Sequence, residues 1–272
     1  VSLGSVCKWL GEIAEGLGVE IYPGFSAAEV LFNSDNSVKG VATGDMGVSR
    51  EGGAKDSWEA GMELHAKFTL FSEGTRGSLS KFLIDNFNLS DGKDFQKYAI
   101  GLKEVWEIQE ENFSEGLVEH SMGWPLSDGT NGGSFLYHFD NNLVSIGYVI
   151  HLNYTNPYAS PFDEFQQFKT HPSVKKILKG GKRLSYGARA ITTGGYQSVP
   201  KLNFPGGALI GCSAGFLNYP KIKGTHNAME SGMLAAESII EKKISQDESN
   251  NLENYQLTVS YTHLTLPTTS CG

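Results

Sequence analysis

Two stretches of this chain share one pattern: a short apolar run, a glycine-bearing turn, then a helical period. The first is Leu70-Phe71-Ser72-Glu73-Gly74-Thr75-Arg76-Gly77, and the second is Leu209-Ile210-Gly211-Cys212-Ser213-Ala214-Gly215. A strand that runs through glycine into a helix lets a ligand lie against bare backbone. The helix N-terminus then offers N–H groups to phosphate or to an electron-rich ring. Tight packing of strand on helix also selects glycine, so a single junction decides little. Two of them, flanking a middle region of different character, favour a dinucleotide. A full G-x-G-x-x-G fingerprint at the end of a first strand is absent from the sequence.

Between the junctions, Ile100–Trp106, Gly133–Phe139 and Leu143–Ile150 are strand-like, and Asp140-Asn141-Asn142 is a tight hairpin connection. This predicts an antiparallel sheet, followed by a helix whose Phe162, Phe165 and Phe168 form a core stripe. Ahead of the first junction, Val6, Leu10, Ile13, Ala14 and Leu17 keep the helical period, with Gly18 as a C-terminal cap. A short strand at Val19–Tyr22 and a hairpin of 28–32 with 38–43, turned at Asn33–Asn36, come next. A glycine-rich turn region spans 44–61, and Leu64–Phe71 reads as one alternating strand. After the second junction, Thr225 sits where it could cap a long helix with Met229, Met233, Ala236 and Ile240 on one face. The predicted class is α/β + β.

Composition narrows the partners. The net charge of −8 argues against nucleic acid, whose phosphates call for a basic face. No apolar stretch approaches the roughly 20 residues of a spanning helix. Cys7, Cys212 and Cys271 give neither a disulfide framework nor a metal spacing. The seven histidines show no paired-ligand spacing, and no G-x-S-x-G elbow is present. No catalytic side chain and no metal site emerges, and a redox cofactor would need neither, because it carries the chemistry itself.

Several long strings resemble the electron transfer flavoprotein:ubiquinone oxidoreductase family. They are Gly132-Gly133-Ser134-Phe135-Leu136-Tyr137-His138, Gly180-Gly181-Lys182-Arg183, Tyr186-Gly187-Ala188-Arg189-Ala190, 205–215, and Pro220-Lys221-Ile222-Lys223-Gly224-Thr225-His226. Upstream, 18–24 and Glu73-Gly74-Thr75-Arg76-Gly77 are similar as well. The resemblance implies a Rossmann-like FAD-binding domain in two parts, 1–94 and 190–256. A ubiquinone-binding domain of antiparallel sheet plus helix, at 95–189, interrupts it.

By the same resemblance, FAD would contact Gly24, Ala27 and Ala28 on its adenosine side. It would also meet Gly74, Thr75, Arg76 and Gly77, then Gly211, Cys212, Ser213, Ala214 and Gly215. Asn218, Lys223, Gly224, Thr225 and Asn227 would surround the isoalloxazine and ribityl chain. The quinone would meet the backbone of Gly132 and Gly133, where no Cβ hinders the ring. Electron transfer flavoprotein is the implied donor and ubiquinone the acceptor. The implied location is a membrane surface, monotopic, on the matrix side of the mitochondrial inner membrane or on a bacterial inner membrane.

The family's [4Fe-4S] cluster has no ligand set here. Residues 1–256 are therefore expected to be an internal, inactive fragment with both domains incomplete. Residues 257–272 lack Asp, Glu, Lys and Arg and are expected to be a non-native tail. Two alternatives are a cluster-free FAD reductase of the geranylgeranyl reductase-like group and a non-catalytic binding module whose glycines serve packing.

Overall fold

The computed structural model describes residues 2–127, 129–219 and 223–261. Helix α1 (Leu3–Gly16) ends as its sequence predicts. Gly18 is left-handed (φ +88°), Val19 N–H donates to the Ala14 carbonyl and Gly18 N–H to that of Glu15, both at 3.0 Å. These are the paired bonds of a glycine C-cap. Val19–Tyr22 is not the expected strand, since it pairs with no strand among the described residues.

The hairpin of β1 (Ala27–Phe32) and β2 (Val38–Thr43) forms as predicted, with Asn36 at φ +64° in its turn. The region at 44–61 holds more than turns. Strands β3 (Met46–Val48) and β4 (Ala54–Glu59) make a small hairpin of their own. The single strand expected over 64–71 is also corrected. It divides into β5 (Glu63–His65), which pairs with β2, and β6 (Thr69–Phe71), which belongs to another sheet. The break falls where Ala66 N–H turns to the Lys39 carbonyl (3.0 Å). Helix α2 (Ser78–Asn86) follows, burying Leu79 and Leu83.

The middle of the chain is an antiparallel sheet of β7 (Tyr98–Glu107), β8 (Val118–Met122), β9 (Gly132–Phe139) and β10 (Leu143–His151). Helices α3 (Pro161–Phe168) and α4 (Pro172–Leu178) follow, and β11 (Lys182–Thr192) completes the sheet in the order β11-β7-β10-β9-β8. Strand alternation sends Val144, Ile146, Tyr148 and Ile150 to one face, where they pack with Phe165, Phe168 and Val174 of the helices. Phe162, expected in that stripe, is 57% exposed. Glu104 is buried on β7, and its charge is met by Lys169 Nζ (3.0 Å), Arg183 Nη1 (3.2 Å) and Trp106 Nε1 (2.8 Å). Burial is tolerated because each oxygen is paired.

A second core gathers segments from before and after the sheet. Strands β12 (Asn203–Phe204) and β13 (Gly207–Leu209) join β6, with β13 parallel to it. Helices α5 (Thr225–Ser245) and α6 (Glu253–Tyr261) close the unit around Phe71, Leu83, Phe204, Leu209 and Tyr255. The apolar residues of α5 share one face as expected, and that face is the exposed one. Met229, Met233 and Ile240 are exposed, whereas Asn227, Ser231, Ala235 and Ser238 are buried. Small residues let the helix lie close to the Gly211 turn, and Ser231 Oγ accepts the Gly211 N–H (2.9 Å). Packing does not stop at the predicted 256/257 boundary. α6 runs to Tyr261 with Val259 buried in the core, and 262–272, with Cys271, lie outside the described residues.

Candidate functional site

The two glycine junctions, about 140 residues apart in sequence, meet in space. Ser213 Oγ donates to the Gly74 carbonyl (3.4 Å). Between them opens a cavity of about 210 Å³ lined by Gly74, Thr75, Gly77, Cys212, Ser213, Ala214 and Gly215. The far wall is one the sequence does not mark: Tyr98 and Thr192 of the sheet, with Gln96 just ahead of β7. No motif marks these three; only the return of β11 beside β7 brings them together.

The glycines here have separate causes. Gly74 is left-handed (φ +82°), with open space where a Cβ would stand, so its backbone faces the cavity bare. At Gly77 a Cβ would lie 2.3 Å from the Glu73 side chain, and at Gly215 it would lie 2.7 Å from Gln96 Nε2. Those two positions are kept small by the protein's own side chains. Glu73 also accepts the N–H groups of Leu79 (3.3 Å) and Ser80 (2.6 Å). A carboxylate therefore already fills the start of α2, and that helix end does not suit a phosphate. The start of α5 differs: Gly224 is its N-cap and no side chain caps it, Thr225 included.

Other predicted contacts lie apart from this cavity. Gly24, Ala27 and Ala28 sit exposed at and before the start of β1. Arg76 lies over the Tyr98 ring (5.3 Å). Gly211, left-handed at φ +57°, faces Ala228. Asn218 and Lys223 exchange backbone bonds (2.8 and 3.1 Å), and Asn227 is buried, donating to the Phe216 carbonyl (2.6 Å). Lys221 lies outside the described residues. Burial pushes the Cys212 thiol up, so it stays protonated.

A second cavity, about 220 Å³, lies on the sheet face away from α3 and α4. Gly132 and Gly133 line it with His120, Phe135, Val149, Ile191, Leu217 and Tyr219. The pairs Met122↔Gly133, His120↔Phe135 and Gly133↔Val149 put these residues on a common face. The reason for the twin glycines is not the expected one. A Cβ at Gly132 would lie 2.4 Å from Leu126 Cδ1, and one at Gly133 2.5 Å from the Ser121 carbonyl oxygen. Sheet packing demands glycine here before any ring arrives. Behind Tyr219, His151 is buried, edge-on to the Tyr219 ring (4.9 Å). Burial first, and then Lys97, lowers its pKa; burial raises that of Tyr219.

Residues near one another in sequence line the two cavities. Ile191 lines the second and its neighbour Thr192 the first; Gly215 lines the first and Leu217 the second. Among the described residues, no group of three or more His, Cys, Asp or Glu could hold a metal ion, and no helix is long and apolar enough to cross a membrane.

Residues 98–191, the sheet with its helices, match the family model described as ETF-QO, ubiquinone-binding. The chain is 57% identical over 249 residues to the human mitochondrial electron transfer flavoprotein-ubiquinone oxidoreductase, covering 91% of this chain and 40% of that protein. It is also 57% identical to the Pseudomonas aeruginosa protein of that name, covering 89% of this chain and 44% of the other. The chain is a relative of the electron transfer flavoprotein-ubiquinone oxidoreductases. It spans about two-fifths of the length of these oxidoreductases.

Solved structures bear on the fold. A geranylgeranyl bacteriochlorophyll reductase-like protein from Thermoplasma acidophilum superposes with a TM-score of 0.70 at 17% identity, over 93% of this chain and 57% of that one. A flavoprotein/dehydrogenase from Cytophaga hutchinsonii gives 0.57 at 18%, over 91% and 55%. The α/β unit with its inserted antiparallel sheet is thus a fold this chain shares with these two proteins.

Proposed function

We propose that this chain carries the flavin and quinone sites of an oxidoreductase that takes electrons from electron transfer flavoprotein and passes them to ubiquinone. The observation that carries this reading is that neighbouring residues line two cavities of different character. The pairs Ile191–Thr192 and Gly215–Leu217 separate a cavity lined by turns and hydroxyls from one lined largely by apolar side chains on the sheet. Bound FAD would supply electrons in pairs or singly, which no side chain here can do.

The chain's own residues have distinct tasks. The bare backbone at Gly74 and the hydroxyls of Thr75 and Ser213 fit a flavin nucleotide on one side. The start of α5 has no side-chain cap, and its N–H groups are assigned here to an electron-rich ring edge. Val149, Phe135, Ile191 and Leu217 exclude water from the quinone side, where the backbone at Gly133 is open to a planar ring. The division at about residues 95 and 190 follows the two cores and belongs to this proposal. So do attachment to an inner-membrane surface and the adenosine contact at Gly24–Ala28. The [4Fe-4S] cluster finds no ligand set among the described residues, and no step here runs through it. The identity to the named oxidoreductases favours this reading over a geranylgeranyl reductase or a non-catalytic module.

The test fills the second cavity from the sheet. In the FAD-loaded full-length protein, Val149→Trp should leave flavin content unchanged and slow reoxidation of the reduced flavin by a short-chain ubiquinone at least tenfold. Wild-type reoxidation in that variant would refute the assignment.

A further inference from the structure

Reducing a quinone to a quinol needs two electrons and two protons, and the cavity around Gly133 must admit the protons. Its lining contains two side chains able to give one at an ionisable group, His120 and Tyr219. They differ in access. Tyr219 is half-buried against His151, and burial raises its pKa, which makes it the poorer acid near neutrality. His120 stands on the edge strand β8, exposed to solvent, directly opposite Phe135 on the cavity face. Histidine is the side chain suited to taking a proton from water and releasing it near neutral pH.

His120 also borders a third cavity. It measures about 430 Å³ and lies between β8 and the α3–α4 helices, lined by Trp124, Phe168, His171 and Ser173. It shares His120, Ser121, Met122 and Ser134 with the Gly133 cavity, so β8 is the partition between them. Ser121 of β8 and Ser134 of β9, directly opposite one another, are joined by a hydrogen bond of 2.6 Å. The other titratable groups lining these two spaces are Glu119, beside His120 on β8, His171 ahead of α4, and Tyr219.

We propose that His120 is a catalytic residue, the proton donor to one carbonyl oxygen of the quinone. This rests on the quinone assignment above. Bound reduced FAD would supply the two electrons and shed to solvent the proton it held; the imidazolium N–H bond breaks as an O–H bond forms on one quinone oxygen. The other oxygen takes a proton from solvent, solvent returns a proton to the imidazole on the β8 side, and the quinone leaves as quinol.

The test is His120→Gln in the FAD-loaded full-length protein, which keeps a hydrogen-bonding side chain but removes the titratable proton. Affinity for a short-chain quinone is measured first, then quinone-dependent flavin reoxidation as a function of pH. The expected result is affinity within about twofold of wild type, a reoxidation rate lower by about 10²-fold, and a pH profile of the rate that no longer matches that of wild type. A variant with the wild-type rate and pH profile would overturn the assignment. So would one whose affinity falls as far as its rate while the pH profile is kept, since that marks a structural role. If the wild-type protein binds no quinone at all, it is the quinone assignment itself that fails.

Discussion

The cavity between the glycine junctions and the cavity on the sheet face are both marked by glycines, yet the glycines do different things. At Gly74 a Cβ would meet nothing, and the left-handed backbone is what requires glycine. At Gly132 and Gly133 a Cβ would strike Leu126 and the Ser121 carbonyl. One cavity is a gap between turns drawn from both ends of the chain. The other is built on a continuous sheet whose opposite face is a hydrophobic core. A glycine in the sheet is therefore tied to folding, whereas one in the turn can be tied to a ligand.

Substitutions separate the two roles. Gly133→Ala should have the largest effect, lowering unfolding stability by about 1–3 kcal/mol through overpacking against the β8 backbone. Quinone affinity should fall with it, as urea melts and binding titrations would register. Gly74→Ala should cost about 1 kcal/mol, the strain of a side chain at positive φ, with a loss of FAD affinity out of proportion to that cost. Equal stability losses in the two variants would erase the distinction.

A smaller effect concerns pH. His138 and His151 both have pKa values lowered by burial, so the unfolded chain binds their protons more readily than the folded one. Their stabilising effect is whole above the unfolded value of about 6.5 and declines as pH falls below it. The urea midpoint should drop between about pH 7 and pH 5, and His151→Gln should flatten part of that drop. A midpoint independent of pH in this range would contradict burial of neutral imidazoles.

Much of the sheet could be read from sequence because its strands alternate and its turn carries Asp140 and Asn142, both found at positive φ. Strand β8 gave no such signal, since all five of its residues are exposed and it is held only from one side. The helix α5 misled for the opposite reason. Its apolar residues follow the helical period, but close approach to Gly211 selects the small polar face instead. The glycine junctions were legible as a site, but the contributions of Gln96, Tyr98 and Thr192 come from tertiary return of the chain and leave no local pattern.

The central claim is that flavin and quinone bind back to back across Ile191–Thr192 and Gly215–Leu217. A structure of the full-length protein with FAD and a ubiquinone analogue tests it most directly. The flavin ring should lie on the Thr192 and Gly215 side, and the quinone should lie against Gly133, Val149 and Leu217. A quinone lodged instead in the space between β8 and the α3–α4 helices, or on the flavin's own side of the wall, would contradict the account.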